Sequence, residues 1–170
     1  MRGITTLAAS ALAALAAAAS ATEAENVGWQ TAGPKNEALG NGDVEALFVG
    51  GERAKAVAFL CDDKAIQARI ATEATDMSRA LSPTFSRARR TTGWIEIDGV
   101  RTYEGSFVYV PDRKVALPVE RAVTAQLYNA AIQNQTVRVR FKGEAVPLTL
   151  PPVDDAFADF HARCEARGAL

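Results

Sequence analysis

The stretch TGWIEIDGVRTYEGSFVYVPDRKVALP, residues 92–118, decides the architecture. Residues 93–97 and 100–110 are rich in β-branched and aromatic side chains, and Asp98-Gly99 between them is a favoured two-residue hairpin turn, so the spacing predicts two long strands side by side. Pro111-Asp112 starts a second turn into a short strand. Gly105 is placed as a bulge that adds twist. Connections this short join antiparallel neighbours, because a parallel pair needs a crossover of about a dozen residues or more.

The same pattern extends in both directions. Upstream, Val44 to Val49 and Ala54 to Cys61 read as strands joined across Gly50-Gly51, and Lys64 to Ala71 alternates Ile66, Ala68 and Ile70 to continue the meander. The segment TEATDMSRALSPTFSRARRTT, residues 72–92, interrupts it with a helical turn around Asp76 to Leu81, ended by Ser82-Pro83, and then an Arg-rich loop. Downstream, Pro118 stands in the first turn of a predicted helix over 119–135, with Val119, Val123, Leu127 and Ala130 at helical spacing. TVRVRFKGEAVPLTL, residues 136–150, puts Val137, Val139 and Phe141 on one strand face and Arg138, Arg140 and Lys142 on the other, then turns into Val146 to Leu150. A last helix follows Pro151-Pro152. These elements predict an α+β, β-rich fold: an antiparallel meander of about eight strands, as a sandwich or partly closed barrel, with two covering helices, one of them C-terminal.

The first 21 residues, MRGITTLAASALAALAAAASA, carry one early positive charge, an Ala- and Leu-rich run and a closing Ala19-Ser20-Ala21, the pattern of a secretory signal peptide. Residues 22–42 form a polar lead-in in which Trp29 is the large apolar group expected to dock, and 43–170 form a single globular domain. No later segment is apolar for long enough to span a bilayer, so the mature chain is expected to lack a transmembrane segment and to reside in the periplasm or beyond it. A formal net charge of -1 argues against a specific or general nucleic-acid partner, whose binding would rest on neutralising many phosphates.

The chain holds two cysteines and one histidine, and DDAFADFHARCEARGAL at residues 154–170 contains His161 and Cys164. On a helical wheel Val153, Phe157, Phe160 and Cys164 share one apolar stripe. Cys61 closes the run Val57, Phe59, Cys61 on one strand face, so both thiols aim inward. A Cys61–Cys164 disulfide is favoured in an exported chain. Two buried free thiols, or a metal site of Cys61, His161 and Cys164 with Asp62 or Asp63, are the competing readings, the latter without the paired close spacings usual for zinc.

No catalytic residue, resident metal or cofactor is assigned. A Ser or Cys nucleophile needs a base, and His161 is expected on a solvated helix edge beside Asp154 and Glu165. Gly105-Ser106 lacks a nucleophile elbow, and Gly50-Gly51-Glu52-Arg53 lacks phosphate-loop spacing. Carboxylate pairs such as Asp62-Asp63, Asp154-Asp155, or Glu96 with Asp98 leave a small envelope hydrolase as the alternative function. The densest charge cluster is Arg79, Arg87, Arg89, Arg90 and Arg101, interleaved with Phe85 and Trp94. It is a candidate contact surface for an unknown protein or an anionic envelope component such as a lipopolysaccharide headgroup or wall polymer, against the plainer reading of a solvated loop.

The order of these features (a signal peptide, an early Trp29, a β-meander with Cys61, a helix before the last hairpin and a closing helix with Phe157 and Phe160) resembles that of small proteobacterial envelope proteins of the invasion-associated locus B type. The resemblance implies a non-enzymatic periplasmic or surface protein. The expected function is an interaction or accessory protein of the cell envelope, with an inhibitor of a wall-acting enzyme as an alternative.

Overall fold

The structure, a computed structural model, describes residues 27–32, 45–49, 57–62, 64–72, 88–143 and 145–170. The signal-like leader, the Gly50-Gly51 connection, the turn around Asp76 to Leu81, and Arg79 and Arg87 lie outside the described residues. Nine strands are present among the described residues: β1 (Trp29–Ala32), β2 (Glu45–Val49), β3 (Val57–Cys61), β4 (Ile66–Ala71), β5 (Arg89–Ile97), β6 (Val100–Val110), β7 (Val115–Pro118), β8 (Val137–Arg140) and β9 (Val146–Leu148). Two α-helices accompany them, α1 (Arg121–Ile132) and α2 (Asp155–Ala166).

All nine strands belong to one open antiparallel sheet, in the order β1-β2-β3-β4-β7-β6-β5-β8-β9. The first four run as a simple meander. The central hairpin is laid down in reverse, so that β7 returns beside β4 and leaves β5 to receive β8 on its far side. The α+β, β-rich antiparallel architecture with two helices, the second C-terminal, is as the sequence predicts, and the nine strands form a single sheet that does not close. Asp98 and Gly99 take φ values of 50° and 80°, the left-handed pair that a two-residue hairpin of the observed twist requires.

Two local expectations are corrected. Gly105 pairs in regular register with Gly93, and the bulge lies further along, where Ile95 faces Tyr103 but Glu96 faces Arg101. Thr102 is the extra residue, and its hydroxyl donates to the Ile95 carbonyl at 3.4 Å. Gly105 is instead overlaid by the Tyr103 ring, which occupies the space a Cβ would need. Pro118 is the last residue of β7, opposite Phe107, and not part of a helix. The ladder continues one residue further, with Val119 N–H donating to Ser106 O at 3.2 Å, and this postpones the helix to Arg121. Val119 stays 42% exposed as a result.

Alternation along each strand separates the two faces of the sheet. Leu47, Phe59, Cys61, Ile70, Ile95, Phe107, Tyr109, Val137 and Val139 point to the face on which both helices lie, and Val123, Leu127, Phe157, Phe160 and Cys164 meet them there. Burying each of the large apolar side chains stabilises the fold by about 1.5–3 kcal/mol. Thr124 of α1 fills a particular gap: β7 pairs only with Ile70 and Ala71 of β4, and the Ala68 N–H beyond them donates to the Thr124 hydroxyl at 3.4 Å.

Both helices stop by the same device. Asn134 (φ 53°) and Gly168 (φ 70°) take the left-handed conformation, and the N–H groups of the next residues, Gln135 and Ala169, reach back to Ala130 O and Cys164 O at 2.9 and 3.1 Å. This pattern satisfies carbonyls that the helix end would leave orphaned. At the start of α2, Asp154 accepts the Phe157 N–H at 3.0 Å and, with its other oxygen, the Trp29 N–H of β1 at 3.0 Å. One carboxylate thus caps a helix and pins an edge strand. Trp29, expected only to dock, is 4% exposed and opens the sheet.

Candidate functional site

The outer face of the sheet carries the candidate site. Even-numbered residues of β5 point away from the helices, so Arg90, Thr92, Trp94 and Glu96 form one row. In the two neighbouring strands Trp94 is flanked by Glu104 of β6 and Arg140 of β8, and Glu96 by Arg138. The bulge at Thr102 brings Arg101 onto this face. Its guanidinium carbon sits 4.8 Å from the centroid of the Trp94 ring, within cation–π range, and its Nη1 lies 3.0 Å from Glu104 Oε2. The Arg101 and Glu104 side chains are 53% and 57% exposed, so water screens the pair and its worth is at most about 1 kcal/mol.

Thr92, Gly93, Trp94, Arg101, Glu104, Arg140 and Phe141 line a shallow open groove of about 330 Å³. Its floor depends on Gly93. A Cβ there would lie 2.7 Å from Phe141 Cδ1 and 2.8 Å from the Arg140 carbonyl oxygen, closer than real contacts allow. The absence of that Cβ lets β8 carry Arg140 alongside Trp94, while Phe141 turns inward to stack edge-on against Phe107 at 5.0 Å. Arg138 Nη1 approaches Glu96 Oε1 at 3.9 Å. Arg140 is exposed and has no ion-pair partner among the described residues.

The predicted basic cluster is therefore partly assembled and partly divided. Trp94 and Arg101 touch. Arg90 shares their face two rungs away, while Arg89, its neighbour on an alternating strand, points to the opposite face. Glu104, Arg140 and Gly93 join the site without having been singled out with it. The alternation of Arg138 and Arg140 with Val137 and Val139 is visible in the sequence, but the register that puts Arg140 against Trp94 is not.

Cys61 and Cys164 are bonded to each other, with Cα atoms 5.8 Å apart and a sequence separation of 103. This removes both thiols from any metal set, and no group of three or more His, Cys, Asp or Glu among the described residues is arranged to hold a metal ion. Closing a loop of that length contributes about 4–5 kcal/mol on loop-closure entropy. Glu45, opposite Cys61 across β2 and β3, is 7% exposed and reaches Arg163 Nε at 3.3 Å and Arg167 Nη2 at 3.6 Å on α2. The Arg163 Nε is buried and lacks hydrogen-bond alignment, so charge rather than a directed bond holds that contact.

His161 is half-buried rather than solvated. Its Nδ1 lies 3.1 Å from the Tyr128 hydroxyl, and the two rings are stacked nearly parallel, with centroids 6.1 Å apart and 6° between planes. Burial pushes the Tyr128 phenol up to about 12, so it remains a hydroxyl at neutral pH.

Asp62 and Asp98, two of the candidate carboxylates, are engaged in turns of the fold. Asp62 accepts the N–H groups of Lys64 and Ala65 at 2.8 and 3.0 Å, which holds it below the usual carboxylate range. Asp98 accepts from the Thr136 backbone N–H at 2.9 Å, the Thr136 hydroxyl at 3.1 Å and the Gln135 amide at 2.8 Å, and these bonds lower it likewise. A general acid needs the opposite shift. Among the described residues no helix is long and apolar enough to cross a membrane. Comparison with protein-family models, curated proteins and solved structures finds no match for the chain.

Proposed function

We propose that this is a non-catalytic, exported protein of the bacterial cell envelope that holds an anionic partner on the outer face of β5, β6 and β8. The observation that carries the reading is Trp94, half-exposed between Arg140 and Arg101, on a face where Arg90, Arg101, Arg138 and Arg140 outnumber Glu96 and Glu104. Guanidinium groups beside an aromatic ring recognise carboxylates and phosphates by charge and paired hydrogen bonds. Export to the periplasm is supported by the signal-like leader and by the Cys61–Cys164 bond, which persists on the oxidising side of a membrane. The likeness in element order to the invasion-associated locus B type points the same way. A binding role is preferred over carboxylate chemistry because Asp62, Asp98 and Asp154 are already committed to backbone N–H groups.

Retention of the full chain on immobilised anionic envelope material, with and without R101Q/R140Q and R89Q/R90Q, tests this. Loss of retention in R101Q/R140Q is the expected result. Unchanged retention in that variant, or turnover of a wall glycan or peptide by the purified chain, would overturn it.

A further inference from the structure

The groove over Trp94 restricts the chemistry of its partner. Its polar groups are of both kinds: Arg140 and Arg101 donate, Glu104 accepts, and the Thr92 hydroxyl does either. A densely charged polyphosphate would meet Glu104 at close range, and like charges there oppose binding. A lipid surface calls for clustered exposed apolar side chains. The exposed large apolar residues described are Val27, Val100, Val119, Ile132, Val153 and Leu170, and none lines the groove. A polyhydroxylated ring with one carboxylate matches the set: its C–H face suits the indole, its hydroxyls need both donors and acceptors, and its single charge needs one guanidinium.

We propose that this groove binds a carboxylated sugar unit of an acidic glycan, with its ring against Trp94 and its carboxylate on Arg140. This deepens the anionic-partner reading above and rests on it. Arg101 acts as a movable cover. It lies on the ring that the sugar would take, and its tie to Glu104 is solvent-screened, so exchange costs little. Once displaced, Arg101 turns to the ligand and leaves Glu104 to accept from a hydroxyl.

The full, disulfide-intact chain is titrated by calorimetry and by tryptophan fluorescence with oligogalacturonate, a neutral malto-oligosaccharide, poly-glutamate, inorganic phosphate and phosphatidylglycerol vesicles. Trp29 is 4% exposed, so a ligand-dependent emission change reports Trp94. Oligogalacturonate is expected to bind saturably, at least about tenfold more tightly than the other four, and to weaken by about tenfold or more in R140Q and in W94A. Thermal unfolding and the buried-Trp emission of these variants show whether they are folded, and R140K supplies a milder variant that keeps the charge but loses the planar fork. Equal binding of the neutral oligosaccharide, or no effect of R140Q in a folded protein, overturns the proposal. Preferential binding of poly-glutamate, phosphate or vesicles overturns the glycan assignment but leaves the anionic-partner reading standing. Binding of none of the anionic probes overturns both.

Discussion

The indole N–H of Trp29 donates to the carbonyl of Pro151 at 2.9 Å, tying the first strand of the sheet to the segment that follows the last. The bond is buried, and the same ring meets Phe157 edge-on at 5.4 Å and Phe59 at 6.1 Å. The sheet is open in its hydrogen-bond order, yet its two ends are fastened through this one side chain and through Asp154, which accepts the Trp29 backbone N–H. Trp29→Phe keeps an aromatic ring but orphans the Pro151 carbonyl and leaves a small void. A loss of about 2–3 kcal/mol is expected in urea unfolding. A loss below about 0.5 kcal/mol would show that the fastening is incidental.

The disulfide and the Glu45 ion pairs hold α2 against β2 and β3 by independent means. The double variant C61A/C164A is expected to lower stability by about 3–5 kcal/mol. Mass spectrometry after alkylation without reductant should find neither native thiol modified. E45Q leaves Arg163 and Arg167 facing a neutral amide. Because both guanidiniums retain some access to water, its cost is expected at about 1–3 kcal/mol.

Asp98 offers a clean test of charge within one turn. Asn tolerates its left-handed backbone almost as well, so D98N removes the negative charge with little strain. The folded-state pKa of Asp98 is depressed from 3.8. Its contribution is therefore present above that value and lost as pH falls through the lower folded one. Wild type should exceed D98N in urea midpoint at neutral pH, and the gap should close on acidification below the ordinary carboxylate range. A gap that persists unchanged in acid would rule out ionisation as its source.

Tyr128 tests the alkaline side. Its folded pKa is raised to about 12 from 10.0, so its contribution is complete below about 10 and is lost as pH rises through the folded value. The difference in phenolate absorbance between wild type and Y128F, followed against pH, should show this tyrosine ionising well above 10, with unfolding advancing alongside it. Y128F removes the contact with His161 and should cost about 1 kcal/mol at neutral pH.

Strand periodicity, the Asp98-Gly99 turn and the apolar stripe through Phe157, Phe160 and Cys164 are local properties. They can be read from the chain because a strand repeats every two residues and a helix every 3.6, whatever lies around them. The inward aim of both cysteines follows from the same periods, and the structure joins them. The restricted backbone of Pro118 suits a strand end as well as a helix start, and only the continued ladder to Ser106 decides between them. A glycine such as Gly105 within a strand commonly marks a bulge. The structure instead places a Tyr103 ring over it and moves the irregularity to Thr102.

The sequence by itself determined the alternating faces, the central hairpin, the two helices and the inward aim of Cys61 and Cys164. Tertiary structure alone decided that β7 returns beside β4, that Glu45 meets Arg163 and Arg167, that His161 stacks on Tyr128, and that Arg140 stands beside Trp94 under the reach of Arg101. The physical reason is common to all four. Periodicity says which way a side chain points but not what stands opposite, and that depends on strand order and register, which are set by the packing of the whole core.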